Sequence, residues 1–157
     1  MTTHTTHTYS THIAWTGAAN GPASDYKTYS REFLLTIAGK PPLRGTADTA
    51  FLGDPALHNP EDLLVAALSS CHLLSYLALC ANSGVVVTAY EDDATGTLGQ
   101  VDRNFKMTEV VLRPRVTIAA SSDQAKAERL HERAHDICFI ARSVNFPVRH
   151  EAIVTRA

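Results

Sequence analysis

Two cysteines are the residues of this chain best suited to redox chemistry. Cys71 lies in a long uncharged segment, ten residues after Glu61, and Cys138 lies near the carboxyl end of the sequence. The thiolate is the nucleophile, and a free cysteine with a pKa of about 8.5 is mostly protonated at neutral pH. A catalytic Cys71 therefore needs a neighbour that stabilises its thiolate.

The helix that carries Cys71 does not provide this stabilisation. Asn59 as N-cap and Pro60 at the first helical position predict the start of a helix, and Asn82-Ser83-Gly84 predicts its end. Cys71 would lie about three turns inside it, whereas the helix dipole acts only within the first turn. Positive charge must come from another segment, and arginine is the best donor because it stays charged and offers forked hydrogen bonds.

His72 and Cys80 are less suited to chemistry. Consecutive helical residues diverge by about 100°, so the His72 imidazole is not expected to face the Cys71 sulfur as a general base. Cys80, near the end of the same apolar helix, fits a buried structural thiol. Cys71 has the same structural alternative, because free cysteine is among the most frequently buried residues.

A zinc site is an alternative use of the same part of the sequence. His131, His135 and Cys138 recur at positions i, i+4 and i+7 of a predicted helix, and with Cys71 they would offer four ligands that zinc accepts. The pattern is weak because no Cys-x-x-Cys pair accompanies it. The charged residues around the two histidines are more typical of a solvated face, so no metal site is predicted.

Predicted strands lie on both sides of two predicted helices, which indicates an α+β fold. The second helix is expected from residue 123 to about 136, with Ser121 or Ser122 as its cap. Segments 85–98 and 107–119 should form a hairpin across the polar stretch between them, with Pro114 at an edge or a bulge. The remaining predicted strands are 9–15, 32–37 and 147–155.

Composition favours one ordinary globular domain over residues 1–157, with 45% hydrophobic and 19% charged residues. A net charge of −2 provides no field for gathering nucleic acid or anionic lipid, so a small-molecule or protein partner is expected. Residues 1–12 contain no lysine, no arginine and no apolar core, so they predict no targeting signal and a cytoplasmic location.

The uncharged segment 63–81 is long enough for a membrane span. Its flanks are acidic rather than basic, and it contains serines and a histidine. A helix enclosed by protein is therefore expected, and no membrane association.

Three motifs together resemble the OsmC/Ohr family of organic hydroperoxide reductases. They are Asn59-Pro60-Glu61 followed by Cys71, Ala134-His135 followed by Cys138, and the opening segment HIAWTG over residues 12–17. The resemblance covers nearly the whole chain in order. It implies two central helices wrapped by antiparallel strands in an intertwined homodimer, with paired active sites at the subunit interface.

The resemblance also implies a thiol-dependent peroxidase. Cys71 would attack the O–O bond and become a sulfenic acid, which Cys138 would resolve as a disulfide. Glu61 would orient an arginine that stabilises the thiolate; Arg31 is the preferred arginine and Arg44 the alternative. No bound cofactor is implied, and a dithiol such as dihydrolipoamide would serve as reductant.

The chain departs from the better-known branches of that family beside both cysteines. Those branches carry phenylalanine after the first cysteine and proline after the second, whereas this chain has His72 and Phe139. A fatty or aromatic hydroperoxide would suit the apolar surroundings. A different class of function is a non-catalytic OsmC-like binding module whose thiols line an apolar pocket.

Overall fold

The computed structural model describes residues 5–157, which form two compact units divided between residues 63 and 64. Residues 1–4, the start of the segment predicted to carry no targeting signal, lie outside the described residues. The prediction of a single domain over 1–157 stays a prediction.

The chain forms two α-helices and nine strands in an α+β order, as predicted. The helices are α1 (Pro60–Ser83) and α2 (Gln124–Ile137). The strands are β1 (His12–Trp15), β2 (Phe33–Thr36), β3 (Leu43–Gly45), β4 (Val87–Asp92), β5 (Thr95–Val101), β6 (Asn104–Leu112), β7 (Pro114–Ile118), β8 (Val148–His150) and β9 (Ile153–Arg156).

The first unit contains a three-stranded antiparallel sheet in the order β1-β2-β3. Trp15 pairs with Phe33, and Phe33 pairs with Gly45. A Cβ at position 45 would lie 2.2 Å from the Phe33 ring, so only glycine fits beneath it. The side chains of β1 are exposed and those of β2 are half-buried.

The second unit contains two three-stranded sheets, β4-β7-β9 and β5-β6-β8. Each is mixed, because β8 runs parallel to β6 and β9 runs parallel to β7. The largest core cluster is formed by α1, α2, the first of these sheets and the connection between α1 and β4. Its buried residues are Tyr76, Cys80, Val85, Val116, Ile118, Ala127, Ala134 and Val154.

Helix α1 begins and ends where its local sequence predicts. Asn59 Oδ1 accepts from the Asp62 amide at 2.8 Å, and Asp62 Oδ2 accepts from the Asn59 amide at 3.2 Å, which forms a reciprocal cap. At the other end Gly84 has φ +76°, a left-handed conformation that glycine adopts without strain. Local side-chain chemistry thus fixes both ends of the helix that carries Cys71.

The predicted antiparallel pairing of segments 85–98 and 107–119 is confirmed, from Val87 opposite Ile118 to Leu98 opposite Met107, but each segment divides into two strands and the turn is shorter than expected. Segment 85–98 divides into β4, which pairs with β7, and β5, which pairs with β6. The hairpin turn is the two residues Asp102 and Arg103, with φ of 50° and 70°, the combination of a type I′ turn. The polar stretch expected to join two strands lies largely within them.

Three smaller predictions also need correction. Pro114 is the first residue of the central strand β7 rather than an edge or bulge position, and there it requires no ladder amide. The cap of α2 is Asp123, whose carboxylate accepts from the Lys126 amide at 3.0 Å, and neither Ser121 nor Ser122. The closing segment forms two strands, β8 and β9.

Helix α1 is the one helix in residues 5–157 that is long and apolar enough to cross a membrane by length and composition, a test that core helices of soluble proteins also meet. Its own chain buries one face, formed by Leu68, His72, Tyr76 and Cys80. The opposite face is exposed at Ala66, Ser70, Leu74 and Ala78. Within this chain, protein therefore covers one face of the helix that was expected to be enclosed, and the opposite face stays exposed.

Candidate active site

The structure brings the two predicted thiols together. Cys71 lies midway along α1 and is partly buried, whereas Cys138 caps the carboxyl end of α2 and is 1% exposed. The two side chains are within hydrogen-bonding range of each other, and both cysteines are free thiols. The arrangement is that of two neighbouring thiols that interact in the reduced form.

Burial keeps the Cys138 thiol protonated. Its pKa is raised to about 11, first by desolvation and second by the hydrogen bond with Cys71. The Ala141 amide donates to the Cys138 Sγ at 3.4 Å and opposes this shift in pKa. Because the opposing hydrogen bond is the smaller effect, Cys138 is a neutral thiol at neutral pH.

His72 is directed towards His131 on α2. His72 Nε2 and His131 Nδ1 are 3.1 Å apart, and both residues are 1% exposed. Burial, and next the neighbouring histidines, lower the pKa of His72 to about 4 and that of His131 to about 3. The pair is therefore neutral at pH 7 and shares one N–H hydrogen.

Two further histidines lie beside this pair. The His150 ring lies 5.5 Å from His72 and 6.0 Å from His135, and its Nε2 is 3.4 Å from a carboxylate oxygen of Glu132. His131 and His150 line a surface cavity of about 290 Å³. The Nε2 atom of His131 is buried and has no hydrogen-bond partner.

The zinc alternative receives no support from this geometry. Across residues 5–157, no group of three or more histidine, cysteine, aspartate or glutamate side chains is arranged to hold a metal ion. His131 instead stacks on the Tyr76 ring, with ring centroids 3.9 Å apart, and bonds to His72. The i, i+4 and i+7 spacing reflects one packed face of α2.

Cys80 is a structural thiol, as predicted. It is 1% exposed in the core and hydrogen-bonds to the Tyr76 side chain. Burial raises its pKa, and the bond to Tyr76 offsets only part of that shift. A protonated thiol in this position has no access to substrate.

Of the two predicted arginines, Arg31 has the more enclosed guanidinium. It donates to the backbone carbonyls of Tyr29 and Tyr26, and it lies over the Tyr29 ring at 3.8 Å. Its Nε atom is buried and has no hydrogen-bond partner. Arg44 is 64% exposed and forms an ion pair with Glu32 at 2.9 Å, which is the ordinary surface role of arginine.

Glu61 also carries an unused polar atom. Its Oε2 is buried and has no hydrogen-bond partner. Among the described residues, no ion pair joins Glu61 to Arg31 or Arg44; the expected orienting role of Glu61 stays a prediction. A buried donor and a buried acceptor without partners are costly, and such groups are typical of sites that bind a ligand.

Sequence reasoning missed the partners of the buried histidines. His72 and His131 are 59 positions apart, and Tyr76, whose hydroxyl donates to the Ala127 carbonyl at 3.2 Å, was not singled out. The available signal was a pair of uncharged polar residues, His72 and Tyr76, at i and i+4 of an otherwise apolar helix.

The chain is similar to proteins of one family. The family model described as OsmC-like protein matches residues 53–152. An OsmC-like protein of unknown function from Vibrio cholerae has a solved structure that is 33% identical, with a TM-score of 0.86, and the match covers 94% of this chain and 100% of that one. The uncharacterized protein YmaD of Bacillus subtilis is 26% identical over 101 residues, 61% of this chain and 67% of YmaD.

Other solved structures share the fold at lower identity. An organic hydroperoxide resistance protein from Elizabethkingia anophelis has a TM-score of 0.70 at 18% identity, and the match covers 98% of this chain and 99% of that one. The organic hydroperoxide resistance protein OhrB of Bacillus subtilis has a TM-score of 0.66 at 19% identity, with 94% and 98% covered.

Proposed function

This chain belongs to the OsmC-like protein family, and we propose that it is a thiol-dependent peroxidase that reduces organic hydroperoxides. The observation that supports the proposal is the contact between the thiol of Cys71 on α1 and the thiol of Cys138 at the carboxyl cap of α2. Structural relatives named as organic hydroperoxide resistance proteins support a role in peroxide chemistry.

Cys71 is the peroxidatic residue in this proposal. Its thiolate attacks the terminal oxygen of the hydroperoxide, the O–O bond breaks, and the products are an alcohol and a sulfenic acid on Cys71. Cys71 is the more accessible of the two thiols, since Cys138 is 1% exposed. Reaction with substrate therefore begins at Cys71.

Cys138 is the resolving residue. It attacks the Cys71 sulfenic acid, a disulfide forms, and the S–O bond breaks with release of water. A dithiol such as dihydrolipoamide then reduces the disulfide by two successive exchanges and becomes a disulfide itself. No bound cofactor takes part in this cycle.

Arg31 and Glu61 act on Cys71 and the peroxide in the proposed site. Arg31 stabilises the thiolate and polarises the O–O bond, and Glu61 orients the guanidinium. The unpartnered Nε of Arg31 and Oε2 of Glu61 support these roles, because each retains hydrogen-bonding capacity that a buried group normally uses. Arg44, which is paired with Glu32, is the alternative.

We place the protein in the cytoplasm as a homodimer. Free thiols and the near-neutral charge suit a reducing compartment and a small-molecule substrate. The exposed face of α1, formed by Ala66, Ser70, Leu74 and Ala78, supports association with a second copy, since Leu74 is 66% exposed on an apolar helix.

A non-catalytic binding module is the second candidate. The first unit contains a cavity of about 350 Å³ lined by Trp15, Tyr29, Phe33 and Arg31. Aromatic walls with one cation suit a small molecule that has an apolar body and a polar end. This candidate predicts binding that is independent of Cys71.

Turnover of cumene hydroperoxide with a dithiol separates the two candidates. The parent protein should consume hydroperoxide. In Cys71→Ser the rate of consumption should fall by at least about 100-fold, because the nucleophile is gone. In Cys138→Ser consumption should be slower than in the parent protein, and Cys71 should become hyperoxidised. Cys80→Ser is the matched control and should retain the parent rate.

Undiminished turnover in Cys71→Ser would overturn the peroxidase proposal. Equal behaviour of Cys138→Ser and the parent protein would remove the resolving role from Cys138. Loss of hydroperoxide consumption in both Cys71→Ser and Cys80→Ser would indicate damage to the fold instead of a specific thiol reaction.

A further inference from the structure

Polar contacts join α1 to α2 along their length. At one end Lys126 Nζ donates to the Ser83 carbonyl at 2.6 Å, and next the Tyr76 hydroxyl donates to the Ala127 carbonyl at 3.2 Å. His72 and His131 follow at 3.1 Å, and the two thiols make the contact at the other end. The histidine pair is thus the side-chain contact that neighbours the thiols.

Each histidine of the pair is linked to one of the cysteines through its own helix. His72 is the residue after Cys71 on α1, and His131 lies on α2 about two turns before Cys138, the residue that caps the carboxyl end of that helix. The His131 ring is further fixed by stacking on Tyr76 at 3.9 Å with an interplanar angle of 12°. A change in the separation of His72 and His131 would therefore shift the two sulfurs relative to each other.

We propose that the hydrogen bond between His72 and His131 is a positioning contact that holds Cys71 against Cys138 and so sets how readily the two thiols form a disulfide. The inference rests on the proposed function for its role in turnover. In the proposed reaction His72 and His131 contact neither the peroxide nor the reacting sulfurs, so they act as positioning residues.

The step that depends on the pair is resolution. Cys138 sulfur bonds to Cys71 sulfur, the S–O bond of the sulfenic acid breaks, and the departing hydroxide leaves as water with the Cys138 proton. Disulfide geometry tolerates little error, with Cα atoms usually about 4.4 to 6.8 Å apart. A contact that fixes two helices next to the thiols therefore acts on this step more than on the first.

Removing one histidine of the pair has a different effect from removing one side of an apolar contact, because it leaves a buried polar nitrogen. Both rings are 1% exposed, so replacing one leaves the facing nitrogen of the other buried without a partner. The helices then separate locally or admit water. Replacing both rings by phenylalanine removes the orphaned nitrogen and keeps most of the volume.

The equilibrium between the protein dithiol and oxidised glutathione tests the proposal without peroxide. One glutathione disulfide is reduced to two thiols as Cys71 and Cys138 are oxidised, so the equilibrium constant gives their effective concentration. His72→Phe and His131→Phe should each lower it by roughly three- to tenfold, the loss expected when one partner of a buried hydrogen bond is removed.

Two conservative variants supply the rescue. Glutamine presents a terminal amide near the position of His72 Nε2, and asparagine presents one near His131 Nδ1. His72→Gln and His131→Asn should therefore retain an effective concentration within about twofold of the parent protein. Lys126→Met removes a contact between the same two helices at the far end and is the control for general loosening; it should lower stability without changing the thiol equilibrium.

The thiol equilibria and the turnover of these variants test the positioning role and the proposed function separately. Parent-like equilibria in both phenylalanine variants, or an equal fall in Lys126→Met, would overturn the positioning role. If the parent protein consumes no hydroperoxide, the proposed function fails while the glutathione equilibrium still tests the histidine pair. If the phenylalanine variants form sulfenic acid on Cys71 within about twofold of the parent rate but hyperoxidise more, the pair acts on resolution as proposed.

Discussion

At the scale of single residues, the protonation of Cys138 governs the second half of the proposed cycle. Burial, and next the hydrogen bond with Cys71, raise the pKa of this thiol to about 11. Disulfide formation after one equivalent of cumene hydroperoxide should therefore accelerate by about tenfold per pH unit between pH 7 and 9, because the thiolate is the attacking species. Loss of free thiols in quenched samples measures this rate; a rate independent of pH would contradict it.

The buried histidine pair predicts acid sensitivity of the fold. The folded-state pKa values of His72 and His131, about 4 and about 3, lie below the ordinary value of 6.5, so the unfolded chain binds more protons at mildly acidic pH. Their contribution to stability is complete above pH 6.5 and is lost as the pH falls towards 3, by on the order of a few kcal/mol.

Urea unfolding at pH 7.0 and pH 4.5 measures this dependence. The parent protein should lose more stability between these pH values than the double variant His72→Phe/His131→Phe, which has no imidazole pair to protonate. Equal losses would show that other groups govern the acid response.

At the scale of elements, the cap of α1 should contribute measurably to stability. Asn59→Ala removes the side chain that accepts from the Asp62 amide and should lower the free energy of unfolding by about 1 kcal/mol. Asn59→Ser retains a capping oxygen and should recover most of that loss. A cost equal in both variants would mean that the cap is not the stabilising contact.

The elements also show what the sequence could predict. Helix α1 was predicted from end to end because Asn59, Pro60 and Gly84 act locally. The antiparallel pairing of segments 85–98 and 107–119 was predicted, whereas their division into the pairs β4–β7 and β5–β6 and the two-residue turn were missed. The division into two sheets depends on long-range packing, and the Asp102 and Arg103 turn lacks the glycine that usually marks such a turn.

The candidate site was predictable to the same limited extent. The cysteines stood out by type and by family resemblance, and the structure places their side chains in contact, while their catalytic roles stay predictions. The bond between His72 and His131 was not predicted, because nothing within either segment specifies a partner 59 positions away.

At the scale of the whole molecule, the proposed homodimer makes the exposed face of α1 an interface. Leu74→Glu should shift the protein to a monomer in sedimentation measurements, because a carboxylate on a buried apolar surface is strongly unfavourable. Val86→Glu changes a hydrophobic residue that is 54% exposed outside that face and serves as the matched control. A parent protein that sediments as a monomer, or a dimer unaffected by Leu74→Glu, would contradict the assignment.

The central claim is that Cys71 and Cys138 together reduce a hydroperoxide, and peptide mapping by mass spectrometry tests it most directly. Reduced protein treated with one equivalent of cumene hydroperoxide should yield one equivalent of cumyl alcohol and a disulfide between Cys71 and Cys138, with Cys80 still a free thiol. Unconsumed hydroperoxide with both cysteines reduced, or equal consumption by Cys71→Ser, would contradict the claim.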